Sequence, residues 1–174
     1  MNTPPFLKYL PQDITQWILP VLTTLISLAV GLGIIASSGS LGSSKVEVPS
    51  VGTEAPAEAV PATGQSLTTA LNTTWAPLPL RDGGTVSFVK SDKGYVINGG
   101  PCEGYGVGFN IDEATGVVST FAVPTTATAC STDDRIWEDT VADGLKSTTS
   151  LKVLGKDRLF AVSPAGSLEL VAKN

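Results

Sequence analysis

Residues 151–171 read LKVLGKDRLFAVSPAGSLELV, and this stretch decides the fold. Leu151-Lys152-Val153-Leu154, Arg158 to Val162 and Leu168-Glu169-Leu170-Val171 are three short strand candidates. Gly155-Lys156-Asp157 and Ser163-Pro164-Ala165-Gly166 join them. Short apolar runs separated by Gly, Asp, Ser and Pro fold back on one another as antiparallel hairpins. The pattern extends upstream. Thr85 to Val89 is followed by the turn Ser91-Asp92-Lys93-Gly94 and then by Tyr95-Val96-Ile97, and Gly116 to Val123 is a further β-branched run.

One helix interrupts the strands, at about Asp133 to Lys146. Ser131 or Thr132 caps it, and Asp133 and Asp134 fill its first turn, beside the positive end of the helix dipole. Trp137, Val141 and Leu145 recur at i, i+4, i+8 with Ile136 alongside, a stripe that packs on a sheet. Gly144 stands where the helix runs out. The expected core comprises Trp75, Phe88, Tyr105, Trp137, Val141 and Leu145.

Two cysteines frame this region. Cys102 follows a strand and Cys130 precedes the helix, 28 positions on. In an oxidising compartment they pair, and closing such a loop contributes about 3–4 kcal/mol in the chain-entropy account. The rival reading is two unrelated buried thiols. Two cysteines with no histidine do not make a four-ligand zinc site.

The domain built from these elements spans about residues 67–174. Before it, residues 37–66 are rich in Ser, Gly, Ala and Pro with scattered Glu, a composition that predicts an extended or mobile linker. Residues 14–36, ITQWILPVLTTLISLAVGLGIIA, carry no charge. As a helix of roughly 23 residues they rise about 34 Å, enough to cross a bilayer. Asp13 with Gln16 resembles a capping box, Tyr9 and Trp17 lie where interfacial aromatics belong, and Pro20 falls early. Residues 1–13 form the remaining N-terminal segment.

Two readings of the apolar run compete. A cleaved signal peptide would use Ala36-Ser37-Ser38. A retained transmembrane anchor is favoured by the length of the run and by its weakly basic flank, where only Lys8 stands, offset by Asp13. Lys8 on the N-terminal side places that end inside and the C-terminal domain outside, in agreement with the cysteines. Thr23, Ser27 and Gly31 make a small-residue stripe, and Ala29 with Gly33 a second pair, the pattern with which membrane helices approach a partner.

Composition narrows the function. The chain of 174 residues carries net charge −5, which gives nucleic acid no electrostatic footprint. The absence of histidine removes imidazole bases, Ser-His-Asp and Cys-His systems and most catalytic zinc sites. The acids Asp133, Asp134, Glu138, Asp139 and Asp143 lack the calcium-loop pattern and read as a capped, solvated helix face. Asp112 and Glu113, the one pair that could be catalytic carboxylates, sit in an Asn-Ile-Asp-Glu-Ala-Thr-Gly turn and read as turn residues. The glycine-rich stretch from Gly99 to Gly108 lacks the Lys-Ser/Thr ending of a phosphate loop. No cofactor or metal is expected.

Against these residues, the region 71–172 resembles the META domain of HslJ-like proteins. Thr74-Trp75-Ala76-Pro77-Leu78 is similar to the family's opening element. Gly100-Pro101-Cys102-Glu103-Gly104-Tyr105, running on to Gly108-Phe109, is similar to its Gly-Cys-Asn motif, with proline inserted and Glu103 in place of the usual Asn. Thr126-Ala127-Thr128-Ala129-Cys130 matches its Thr-x-x-Ala-Cys element. The resemblance implies an α+β domain, an antiparallel sheet or partly closed barrel wrapped around one helix, located in the cell envelope, linked to stress or drug tolerance and without firm enzymatic activity. The expected function is non-enzymatic: a single-pass membrane protein whose extracytoplasmic domain is an accessory or interaction subunit of a membrane complex, a respiratory supercomplex being one host. The alternative is a free-standing envelope stress protein, secreted if the N-terminus is cleaved.

Overall fold

A computed structural model describes residues 47–49 and 51–173. The N-terminal segment 1–13, the apolar run 14–36 with its stripe Thr23, Ser27, Gly31, Ala29 and Gly33, and residues 37–46 lie outside the described residues. No helix among the described residues is long and apolar enough to cross a membrane.

Nine strands form one antiparallel sheet: β1 (Val60–Pro61), β2 (Trp75–Pro77), β3 (Val86–Ser91), β4 (Gly94–Gly99), β5 (Val107–Ile111), β6 (Val118–Ala122), β7 (Ser150–Leu154), β8 (Arg158–Ser163) and β9 (Gly166–Ala172). Two helices among the described residues accompany them, α1 (Gly64–Leu71) and α2 (Thr132–Lys146). The strand order is β1-β7-β8-β9-β2-β3-β4-β5-β6. The expected hairpins form where turn chemistry permits. Ser163 pairs with Gly166, and the Ser163 hydroxyl donates to Gly166 O at 3.1 Å. The β3–β4 turn closes on Gly94, whose φ of 127° and proximity to the Phe109 carbonyl leave no place for a side chain.

The sheet curls into a partly closed barrel. β6 returns to β7 through the bridge Val117↔Ser150, with Val118 N donating to Thr149 O (2.8 Å) and Leu151 N to Gly116 O (3.2 Å). Further along β7, β1 occupies the same edge: Val60↔Val153, Pro61↔Lys152, and Ala62 N to Leu151 O at 2.9 Å. Two strands thus share one short edge, and β6 runs on past it.

α2 fills the concave side. Trp137, Val141 and Leu145 are fully buried, as the i, i+4, i+8 spacing requires. They pack with Trp75, Tyr105, Phe109, Leu151, Leu159 and Leu170. Phe88, expected in the core, is only partly buried against it, its ring 6.0 Å from Phe109. Ile136 is 45% exposed and is no part of the packing stripe, because one residue back from Trp137 rotates it about 100° away. The cap is Ser131, whose hydroxyl oxygen accepts from Asp134 N at 3.1 Å. Gly144 lies within the helix, where a Cβ would approach Val51 Cγ2 at 3.0 Å.

Two further expectations are corrected. Residues 51–66, read from composition as linker, belong to the domain. Thr53 bridges Ser167, whose hydroxyl donates to Thr53 O at 2.7 Å; Ala55 and Ala59 cover Phe160 on the outer face; Ala62 is fully buried. Small residues do this because the strap lies flat on a sheet, where a larger side chain would lift it. The second correction is α1, a helix beyond the one expected. Its Gly-Gln-Ser-Leu-Thr-Thr-Ala-Leu sequence has weak propensity. Thr63 N donating to Ser66 Oγ (3.1 Å) and burial of Leu67 and Ala70 stabilise it.

Candidate functional site

The loop between β4 and β5 carries the most specific polar arrangement among the described residues. Gly99, Gly100, Gly104 and Gly106 all have positive φ, so the chain turns sharply and presents successive amides to one side. Cys102 N donates to Glu138 Oε2 at 2.9 Å and Glu103 N to Glu138 Oε1 at 2.8 Å. Each carboxylate oxygen thus holds one amide. Glu138 is 5% exposed. A Cβ at Gly100 would collide with Glu138 Oε2, so the glycine makes room for the carboxylate.

Glu138 therefore departs from the solvated face assigned to the acids of α2. It lies one position after Trp137 and three before Val141, on the flank of the buried stripe. The glycine-rich loop is no phosphate cradle, yet it does cradle an anion: the protein's own. Two further ties hold it. Cys102 and Cys130 form a disulfide, their Cα atoms 5.6 Å apart. Tyr105 donates its hydroxyl to Thr85 O at 2.8 Å. Burial, with the neighbouring Glu138 charge adding to it, pushes the Tyr105 phenol well above its ordinary range. At the surface Arg135 pairs with Glu103 at 3.1 Å.

Beside this loop runs a polar cleft of about 390 Å³. Cys102–Gly106 and the end of β6 form one side; Arg135, Glu138, Asp139, Ala142 and Lys146 of α2 form the other. Asp134, at the helix start, accepts from Arg81 Nε at 2.6 Å and from the Ser131 hydroxyl at 2.6 Å. Those hydrogen bonds, Ser131 first, hold its carboxyl below the usual range.

The remaining expected sites resolve simply. Asp112 Oδ1 accepts from Ala114 N (2.9 Å) and Thr115 N (3.2 Å), which is turn duty. Glu113 is exposed beside it. No group of three or more metal-ligating side chains converges among the described residues. Sequence reasoning missed Glu138 as a buried acceptor; the signal was its place beside the apolar stripe, opposite a run of glycines.

No protein-family model, curated protein or solved structure matches this chain.

Proposed function

We propose that the chain is a membrane-anchored, extracytoplasmic interaction module, an accessory subunit of a larger membrane complex, and that it performs no catalysis of its own. The observation that carries this reading is the Cys102–Cys130 disulfide, whose formation requires an oxidising compartment. The apolar run 14–36 supplies the anchor, and its small-residue stripe a face for a membrane partner. The carboxylates support the non-enzymatic part. Glu138 is committed to two backbone amides and Asp112 to its turn, so neither is poised as an acid or base. A respiratory supercomplex is one host such a layout suits, an inference from architecture alone.

Intact mass of the protein from native membranes under non-reducing conditions, combined with gentle detergent extraction, is the test. Retention of residues 1–36, a mass two hydrogens below the reduced chain, and comigration with a complex are expected. A mature protein that begins after Ser38 and migrates as a lone monomer defeats the proposal and favours the secreted HslJ-like alternative.

A further inference from the structure

Among the described residues, the outer edge of β6 is left open where it runs past β7. In the β5–β6 ladder Val123 N donates to Gly106 O (3.0 Å) and Asp112 N to Val117 O (2.9 Å). This register, with Phe121 opposite Gly108 and Ser119 opposite Asn110, turns the backbone groups of Ser119 and Phe121 toward β5. Those of Val118, Thr120 and Ala122 point the other way. Val118 N is taken by Thr149 O, where β6 touches β7. Thr120 and Ala122 have no backbone partner on that side among the described residues, and both are exposed. Exposed edges are usually blunted by lysine, proline or a bulge, and Val-Ser-Thr-Phe-Ala carries none of these side chains. The other terminal strand, β1, contains Pro61.

The open edge adjoins a wall. Arg135, Glu138, Asp139, Ala142 and Lys146 lie at i, i+3, i+4, i+7 and i+11, one stripe of α2, across the cleft from Ala122 and Val123. The Thr120 hydroxyl donates to Lys146 O at 3.0 Å and closes one end. A sheet edge facing a helix across a groove is the geometry in which an extended peptide adds as a further strand.

We propose that the β6 edge and the α2 wall form a docking groove for an extended segment of a partner protein. The segment hydrogen-bonds to Thr120 and Ala122, and the proposal rests on the interaction-module reading above. Charge defines its chemistry. Arg135 is engaged by Glu103, whereas Lys146 has only Asp143 at 3.9 Å and Asp139 has no ion pair among the described residues. Asp139 and Lys146 are about 10 Å apart along the helix, the span of roughly three residues of strand. Side chains on one face of a strand recur every second residue, so the partner segment carries an acidic residue toward Lys146 and a basic one two or four positions away, on the same face, toward Asp139. Ala122 and Ala142 leave room for its side chains.

The test uses the full chain in its own cells. A photoreactive residue at position 122, with position 89 on another strand as control, reports what lies in the groove. A cross-link from 122, absent from 89, to a segment of another protein with the stated charge pattern is expected. In the purified complex, Thr120 and Ala122 amides should exchange about tenfold or more slowly than in the free chain, with Ser119 and Phe121 unchanged. Ala122→Pro removes only an outward N–H and leaves the β5 ladder intact, so it should abolish the association at unchanged melting temperature. Retention of the partner by A122P, or a cross-link only to a second copy of this chain, overturns the groove and leaves the interaction-module reading standing. A chain that carries the photoreactive residue at position 122, cross-links to nothing and migrates alone overturns both.

Discussion

Replacing Glu138 probes the centre of the domain. Its carboxylate accepts from Cys102 N and Glu103 N, both partly buried, at 2.9 and 2.8 Å. A hydrogen bond to a charged group contributes about 1.5–3 kcal/mol, and a donor stranded without a partner costs about 1–3 kcal/mol. Glu138→Ala strands both amides, so the expected loss is about 2–5 kcal/mol. Glu138→Gln keeps the shape and still fails. One amide retains an acceptor, but the other meets the Gln NH₂, donor against donor, and about 2–4 kcal/mol is lost. For a domain of this size either value lowers Tm by roughly 8–20 °C. Urea unfolding with the disulfide intact, followed by tryptophan fluorescence, measures the free energy; millimolar formate should restore part of the Ala variant's stability by occupying the vacated site between the amides. A Gln variant within about 0.5 kcal/mol of wild type would refute the reasoning, since it would mean the two amides do not depend on the carboxylate.

Three further outcomes follow from local geometry. Gly84→Ala places a Cβ 2.5 Å from Trp137 Cη2 in a fully packed interior, and should cost about 1–3 kcal/mol in chemical denaturation. Asp134 binds protons less readily folded than unfolded. Its contribution is therefore complete above the ordinary carboxylate range and is lost as pH falls through its lowered folded value; Asp134→Asn should flatten that acid limb in a series of melts, and an unchanged limb would count against the Ser131 and Arg81 bonds. Tyr105 has the opposite sign. Its folded phenol titrates above the ordinary value near 10, so its contribution is intact below that pH and lost above it; tyrosinate absorbance from Tyr105 should appear only with alkaline unfolding, and Tyr105→Phe should remove that component.

Hairpins were the legible part of the fold, because turn residues are read locally: Ser163 to Gly166 and Ser91 to Gly94 close where the sequence says they should. The α2 stripe was legible for the same reason, with its period written in Trp137, Val141 and Leu145. β5 was not legible. Val107-Gly108-Phe109 reads as the tail of a glycine-rich loop, and Gly108 is required only because the Phe121 ring of the next strand lies over it, a cross-strand fact. Pairing of Cys102 with Cys130 could be expected from their number, but the second tie on the same loop could not. A glutamate on a helix is ordinarily solvated, and only the arrival of a glycine loop from far along the chain converts Glu138 into a buried acceptor.

The strap before α1 was hidden by its own composition, and that failure has a measurable consequence. Ala, Pro, Glu and Gly look like linker because none of them drives burial alone. Here the sheet supplies the apolar partner. Phe160 is 2% exposed because Ala55 and Ala59 lie on it, and β1 uses the part of the β7 edge that β6 does not reach. A chain shortened to begin at Leu67, the boundary composition suggests, uncovers Phe160 at about 1.5–3 kcal/mol and loses the Thr63–Ser66 start of α1 at roughly 1 kcal/mol more. Against a total of about 5–15 kcal/mol that is a large fraction. A chain beginning at Val51 keeps all of it. Thermal melts of the two soluble fragments should differ by about 10 °C or more, with the shorter one exposing an apolar face and self-associating. Equal melting would mean that residues 51–66 are carried by the sheet without supporting it, and the domain would then begin where the composition places it.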